Sequence, residues 1–150
     1  MSASTGAKSA TVYLKACING ARRPGEHPGL PVTPDQLAAE AVAAHAAGAR
    51  AVHLHPKSAD GEDSLLPGEV DPAVAAVRQA LPGLPVGVTT GFWALPDPQQ
   101  RLRAVESWGV LPDFASVNWH EPGSAELAWV LLSRGIGVEA GIFYAEAAQS

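Results

Sequence analysis

The chain has 150 residues, 47% of them hydrophobic and 17% charged, which is enough apolar material for one core and excludes a disordered chain. The formal net charge of −5 argues against a general nucleic-acid binder, which needs a basic face to neutralise phosphates. A single cysteine, Cys17, excludes a disulfide framework and a multi-cysteine zinc site, and fits a reducing, cytoplasmic compartment.

Residues 1–10 are polar and expected to be disordered, with no apolar region of the kind a signal peptide needs. No run is long and apolar enough to span a bilayer, so no membrane partner is expected. Thr11–Cys17 reads as a first strand, β-branched and aromatic at its start and closed by Asn19-Gly20. Thr33, Pro34 and Gln36 form a capping-box helix start, and Gly48 marks that helix's end. Ala51–His55 is a second strand, and Asp71-Pro72 opens a helix to about Leu81. Pro85–Thr89 is a third strand, followed by a helix from Asp97-Pro98 to near Gly109. Asp113–Asn118 is a fourth strand, and Ser124 is a candidate cap for a helix ending before Gly135. Ile136–Glu139 is a fifth strand, and a further helix begins at Ala145.

This β/α alternation implies an α/β chain with a parallel sheet, read as one domain over 1–150. Two architectures satisfy right-handed crossovers. Length favours a five-stranded doubly wound sheet. The incomplete last unit favours the first five or so units of a (β/α)8 barrel, a fold that takes about 250 residues.

Parallel α/β folds gather their chemistry at the carboxyl ends of the strands. The polar residues found there are Cys17 and Asn19, His53 and His55, Thr89 and Thr90, Ser116 and Asn118, and Glu139. His53 and His55 are the most informative, because residues i and i+2 of a strand share a face. Two neutral imidazoles side by side can hold one divalent ion, with a carboxylate and water completing the shell; hydrogen-bonded structural histidines are the alternative. Glu139 is either a ligand, a substrate contact or a structural ion-pair partner. The loop Asn19–Pro24 carries Arg22 and Arg23 to the same edge, where a carboxylate or phosphate could meet them. Trp119 either walls a pocket or covers the end of the core. Cys17 reads as a small buried apolar residue, and His27 and His45 as loop and helix-surface residues.

Several segments together resemble the β-keto acid cleavage enzymes. They are Ile18–Ala21, Leu30–Pro34, Ala49–His55, Val88–Gly91, Asp113–Asn118 and Gly137–Ala140. The H-x-H following an L-P-V-T-P segment is the most specific combination. The resemblance implies a (β/α)8 barrel with a catalytic zinc. It also implies condensation of a 3-oxo acid with acetyl-CoA to give acetoacetate and a new acyl-CoA. It makes His53 and His55 the two histidine zinc ligands, places Thr89 and Ser116 at catalytic positions lining the site, and sets Arg22 against the distal end of the substrate; Asn19, Thr90, Asn118 and Glu139, at the strand ends, are further candidates for substrate contact. Arg22 stands where the aminohexanoate-cleaving members have a Glu that meets the substrate ammonium. The family's third zinc ligand (a Glu), its Asp base and a substrate-binding Arg have no counterpart here, so the chain resembles a C-terminally truncated member. The complete protein is expected to form homo-oligomers.

Overall fold

The computed structural model describes residues 12–148; the expectation for residues 1–10, and Thr11 at the start of the first strand, lie outside them. The elements follow in strict alternation. They are β1 (Lys15–Cys17), α1 (Pro34–Ala46), β2 (Ala51–Leu54), α2 (Pro67–Ala80), β3 (Val86–Thr89), α3 (Pro98–Glu106), β4 (Phe114–Asn118), α4 (Ser124–Ser133) and β5 (Gly137–Gly141), then a short 3-10 turn, Ala145–Ala148.

All strand pairs are parallel, and the sheet order is β1-β2-β3-β4-β5. That order decides between the two architectures. A doubly wound sheet reverses its strand order at a switch point and so places helices on both faces. Here each strand lies beside its predecessor, and right-handed crossovers then put every helix on one face. The five units are therefore the opening sector of a (β/α)8 barrel, and the doubly wound expectation drawn from length is set aside.

Alternation along each strand sorts the residues. The register aligns Val52 with Val86, and Leu54 with Val88 and then Ala115. All five are fully buried and pack with Leu37, Val74, Val105, Trp108 and Leu131 of the helical layer. The opposite, concave face carries Lys15, Cys17, His53, Gly87, Thr89, Phe114, Ser116 and Glu139 in matching register. Gly87 has a steric reason: a Cβ there would overlap the Phe114 ring, which folds across β3.

Element boundaries differ from expectation for local reasons. The α1 capping box forms as read, with Thr33 and Gln36 reciprocally bonded. α2 begins at Pro67 rather than at Asp71-Pro72, because Pro67 already suits the first helical turn and Pro72 is accommodated inside the helix. Asp71 instead accepts a hydrogen bond from the Gly109 amide at 3.0 Å, joining α2 to the loop after α3. α4 is capped by Gly123, whose φ of 76° a side chain would resist, while the Ser124 hydroxyl donates to the Trp119 carbonyl at 3.0 Å. Trp119 itself packs against the core, so it covers the core's end. No described helix is long and apolar enough to cross a membrane.

Candidate active site

His53 lies on β2 between Cys17 of β1 and Gly87 of β3. His55 follows directly after the strand, and both imidazoles are buried. Their ring centroids are 5.3 Å apart with planes at 74°. The expected sharing of a face is thus realised as two adjacent, edge-on rings.

Their surroundings differ. His53 Nδ1 is buried without a hydrogen-bond partner among the described residues. Burial, reinforced by His55 and Lys15 and opposed by Glu139, lowers the His53 pKa to about 4, so the ring is neutral at pH 7. His55 Nδ1 is 2.8 Å from Asp63 Oδ2. A carboxylate can only accept, so Nδ1 carries a proton, and in the neutral ring Nε2 is then the nitrogen with the lone pair. The Trp93 ring stacks on His55, with centroids 6.1 Å apart and planes at 18°. Its Nε1–H donates to the same Asp63 oxygen at 2.7 Å. Gly91 makes room for this ring, since a Cβ there would overlap it. Lys57 pairs with the other Asp63 oxygen and also donates to the carbonyls of Gly20 at 3.1 Å and Arg22 at 2.7 Å. Burial raises the Asp63 pKa, but the hydrogen bonds from His55, Lys57 and Trp93 outweigh it and the net shift is downward.

Asp63, Lys57 and Trp93 were not singled out in the sequence. The available signal was Asp60-Gly61, a turn dipeptide. It folds Lys57 and Asp63 into an antiparallel bridge, closed by the Ser58 amide on the Glu62 carbonyl at 2.9 Å.

The other sequence candidates divide by what their side chains do. Asn19 is buried and occupied by backbone: its Nδ2 donates to the carbonyls of His55 (2.7 Å) and Pro31 (3.3 Å), and its Oδ1 accepts from the His55 amide at 2.8 Å. It clamps the backbone of His55. The Thr90 hydroxyl donates to the Ser116 carbonyl at 2.6 Å, tying the end of β3 to β4. Thr89 and Ser116 are register partners on the concave face, and Thr89 Oγ1 accepts from the Gly91 amide at 3.1 Å. Glu139, a register partner of Ser116, forms an ion pair with Lys15. Asn118 Nδ2 donates to Glu121 Oε1 at 2.7 Å. Glu121 also accepts from the Phe92 amide at 3.0 Å and from buried Arg101 at 2.9 Å. Arg101, another residue the sequence did not mark, thereby fixes the loops beyond β3 and β4. Arg22 is exposed, with Nη1 3.9 Å from Glu26. It lines a cavity of about 210 Å³ at the strand ends with Arg23, Lys57, Asp63 and Trp93. Cys17 corrects one expectation: it is exposed, because it lies on the concave face, away from the helices.

The donor set fits half of a metal site. One imidazole is neutral with an unpartnered ring nitrogen; the other is held by a carboxylate with its second nitrogen available. Among the described residues no group of three His, Cys, Asp or Glu side chains is placed to enclose an ion.

Comparison with known proteins bears on the family and the fold. Residues 11–143 match the family model of the beta-keto acid cleavage enzymes. A 3-keto-5-aminohexanoate cleavage enzyme of Acetoanaerobium sticklandii is 30% identical over 108 residues, covering 71% of this chain and 38% of that protein. The enzyme of the same name from Fusobacterium nucleatum is 33% identical over 81 residues, covering 53% of this chain and 30% of that protein. This chain thus spans well under half the length of these curated relatives. ObcA in complex with oxaloacetate superimposes with a TM-score of 0.59 at 18% identity, over 75% of this chain and 31% of that one. An enolase from Thermobispora bispora gives 0.57 at 16%, over 91% and 32%. At such identities the likeness concerns the fold, which is that of the barrel's first units. The chain belongs to the beta-keto acid cleavage enzyme family.

Proposed function

We propose that this chain carries the histidine half of a zinc-dependent site that condenses a 3-oxo acid with acetyl-CoA, giving acetoacetate and a new acyl-CoA. One observation supports the reading above the others. Two adjacent buried imidazoles at the end of β2, one with an unpartnered nitrogen and one oriented by a carboxylate, form an incomplete donor pair within a family match. His53 and His55 would hold the zinc, which as a Lewis acid would polarise the keto oxygen and stabilise enolate charge.

The residues around that pair position it and the substrate. Asn19 and Asp63 hold the backbone and ring of His55. Ser116 and Thr89, side by side on the concave face, would donate to oxygens that gain charge during cleavage. Glu121 orients Asn118, whose amide would serve the substrate carboxylate. Glu139, paired to Lys15, sets the charge of the concave face beneath the site rather than acting as a free base.

Arg22 would select the far end of the substrate. Its guanidinium stands exposed at the mouth, and among the described residues its one carboxylate neighbour, Glu26, is 3.9 Å away. It would repel an ammonium group and pair with a carboxylate, so the preferred 3-oxo acid has a neutral or anionic distal end. The test is a panel of 3-oxo acids incubated with the intact protein, zinc and acetyl-CoA, followed by chromatography of acetoacetate and acyl-CoA. Stoichiometric formation of both products is the expected result. Consumption of the keto acid without acyl-CoA would favour a metal-dependent hydrolase or lyase and overturn the proposal.

A further inference from the structure

We infer that Asp63 is a positioning residue that fixes His55 as the Nδ1–H tautomer and locks its ring plane. Its consequence for metal binding rests on the zinc reading, whereas the tautomer itself rests on the hydrogen-bond geometry alone.

Asp63 has a nearly inaccessible side chain (4% exposed), yet it is no member of the helix-packed core. A carboxylate in such a place needs donors on both oxygens. Oδ1 takes the Lys57 ammonium, and Oδ2 takes both the His55 and Trp93 ring N–H groups. Both Asp63 oxygens are thus taken up by N–H donors, so the oxygen facing His55 accepts. The imidazole must therefore donate through Nδ1, which in the neutral ring leaves Nε2 as its acceptor. Trp93 adds the second constraint: stacked on one face and bonded to the same oxygen, it limits rotation of the His55 ring about its own axis.

The arrangement links three loops. Lys57 also holds the carbonyls of Gly20 and Arg22, so the loop after β1 is tied to Asp63. Trp93 brings in the loop after β3, and the Asp60-Gly61 turn supplies Asp63 itself from the loop after β2. The Asp63 carboxylate is the point where all three meet. A ligand histidine held in this way enters a metal site already oriented, and loss of such a carboxylate costs about 10–100-fold in metal affinity.

The test uses the intact protein labelled with 15N-histidine, first metal-free. The expected two-dimensional 15N–1H spectrum, recorded at a pH where the ring is neutral, shows His55 with a pyrrole-type Nδ1 and a pyridine-type Nε2. In Asp63→Asn that single tautomer gives way to a mixture, because the amide can donate to Nδ1 as well as accept from it. Zinc affinity, measured by chelator competition, falls about 10–100-fold in the same variant. A neutral wild-type His55 protonated on Nε2 and not on Nδ1 would overturn the inference without any variant, which covers the case in which Asp63→Asn fails to fold. A folded Asp63→Asn with an unchanged tautomer and zinc affinity within twofold of wild type would also overturn it. A wild type that shows the Nδ1–H tautomer but binds no zinc supports the positioning role of Asp63 and sinks the zinc reading alone.

Discussion

The two faces of the sheet are built from the same strands and differ in almost everything else. The outer face is Val52, Leu54, Val86, Val88 and Ala115, sealed beneath the helices. The concave face, one residue out of phase, is Lys15, His53, Thr89, Ser116 and Glu139. A period of two lets one short strand serve stability and chemistry at once, because adjacent residues answer to different environments. Four residues of β2, Ala51–Leu54, show this most compactly: Val52 and Leu54 anchor the helical layer, while His53 between them faces the site.

Substitutions should therefore separate by face. The largest stability loss is expected where charge has been buried to hold the site's loops. Arg101→Met would leave Glu121 without its buried partner and should cost about 3–5 kcal/mol in denaturant unfolding. On the outer face, Leu54→Ala should cost about 2–5 kcal/mol while leaving zinc affinity within a few fold. If Leu54→Ala abolished metal binding at unchanged stability, the division between the faces would fail.

A pH effect follows from His53. Its folded pKa of about 4 lies below the ordinary 6.5, so the unfolded chain binds the proton more readily. Above pH 6.5 both states are neutral and His53 contributes no pH dependence. As the pH falls from 6.5 towards 4, stability should drop, by on the order of 3 kcal/mol in total at about 1.4 kcal/mol per pKa unit. Metal-free wild type and His53→Gln, compared by denaturant unfolding across this range, should differ in slope, with the variant flatter.

Smaller effects sharpen the functional side. Ser116→Ala on the concave face should change stability by less than about 1 kcal/mol. It should lower turnover by about 100-fold if the hydroxyl donates to developing charge. Arg22→Glu should leave stability within about 0.5 kcal/mol, since the side chain is exposed. Its effect should be on choice: preference should move from neutral or anionic 3-oxo acids towards cationic ones. An unchanged preference order would remove Arg22 from the substrate's path.

What could be read in advance was whatever short-range periodicity encodes. The alternation of five strands with helices, the Thr33–Gln36 capping box and the His53/His55 pair all depend on residues a few positions apart. Periodicity does not choose between barrel and doubly wound sheet: length favours the second, the family resemblance implies the barrel, and the order of the strands in space bears the barrel out. The site's supporting residues were hidden for the same reason. Asp63, Trp93 and Arg101 come from a turn, a loop and a helix, and they meet their partners six to thirty positions away. Asn19 was recognised as belonging to the site, but its work is to bond the backbone of His55, which residue type alone does not distinguish from substrate contact.

The central proposal is that both imidazoles at the end of β2, on the concave face, would hold a zinc ion. The most direct test is zinc content and affinity of the intact wild-type protein beside His53→Ala and His55→Ala, measured by elemental analysis and chelator competition on folded samples. One zinc per chain in the wild type, and loss of at least about 100-fold in affinity in each variant, is the predicted result. Retention of zinc at wild-type affinity in both variants would contradict it.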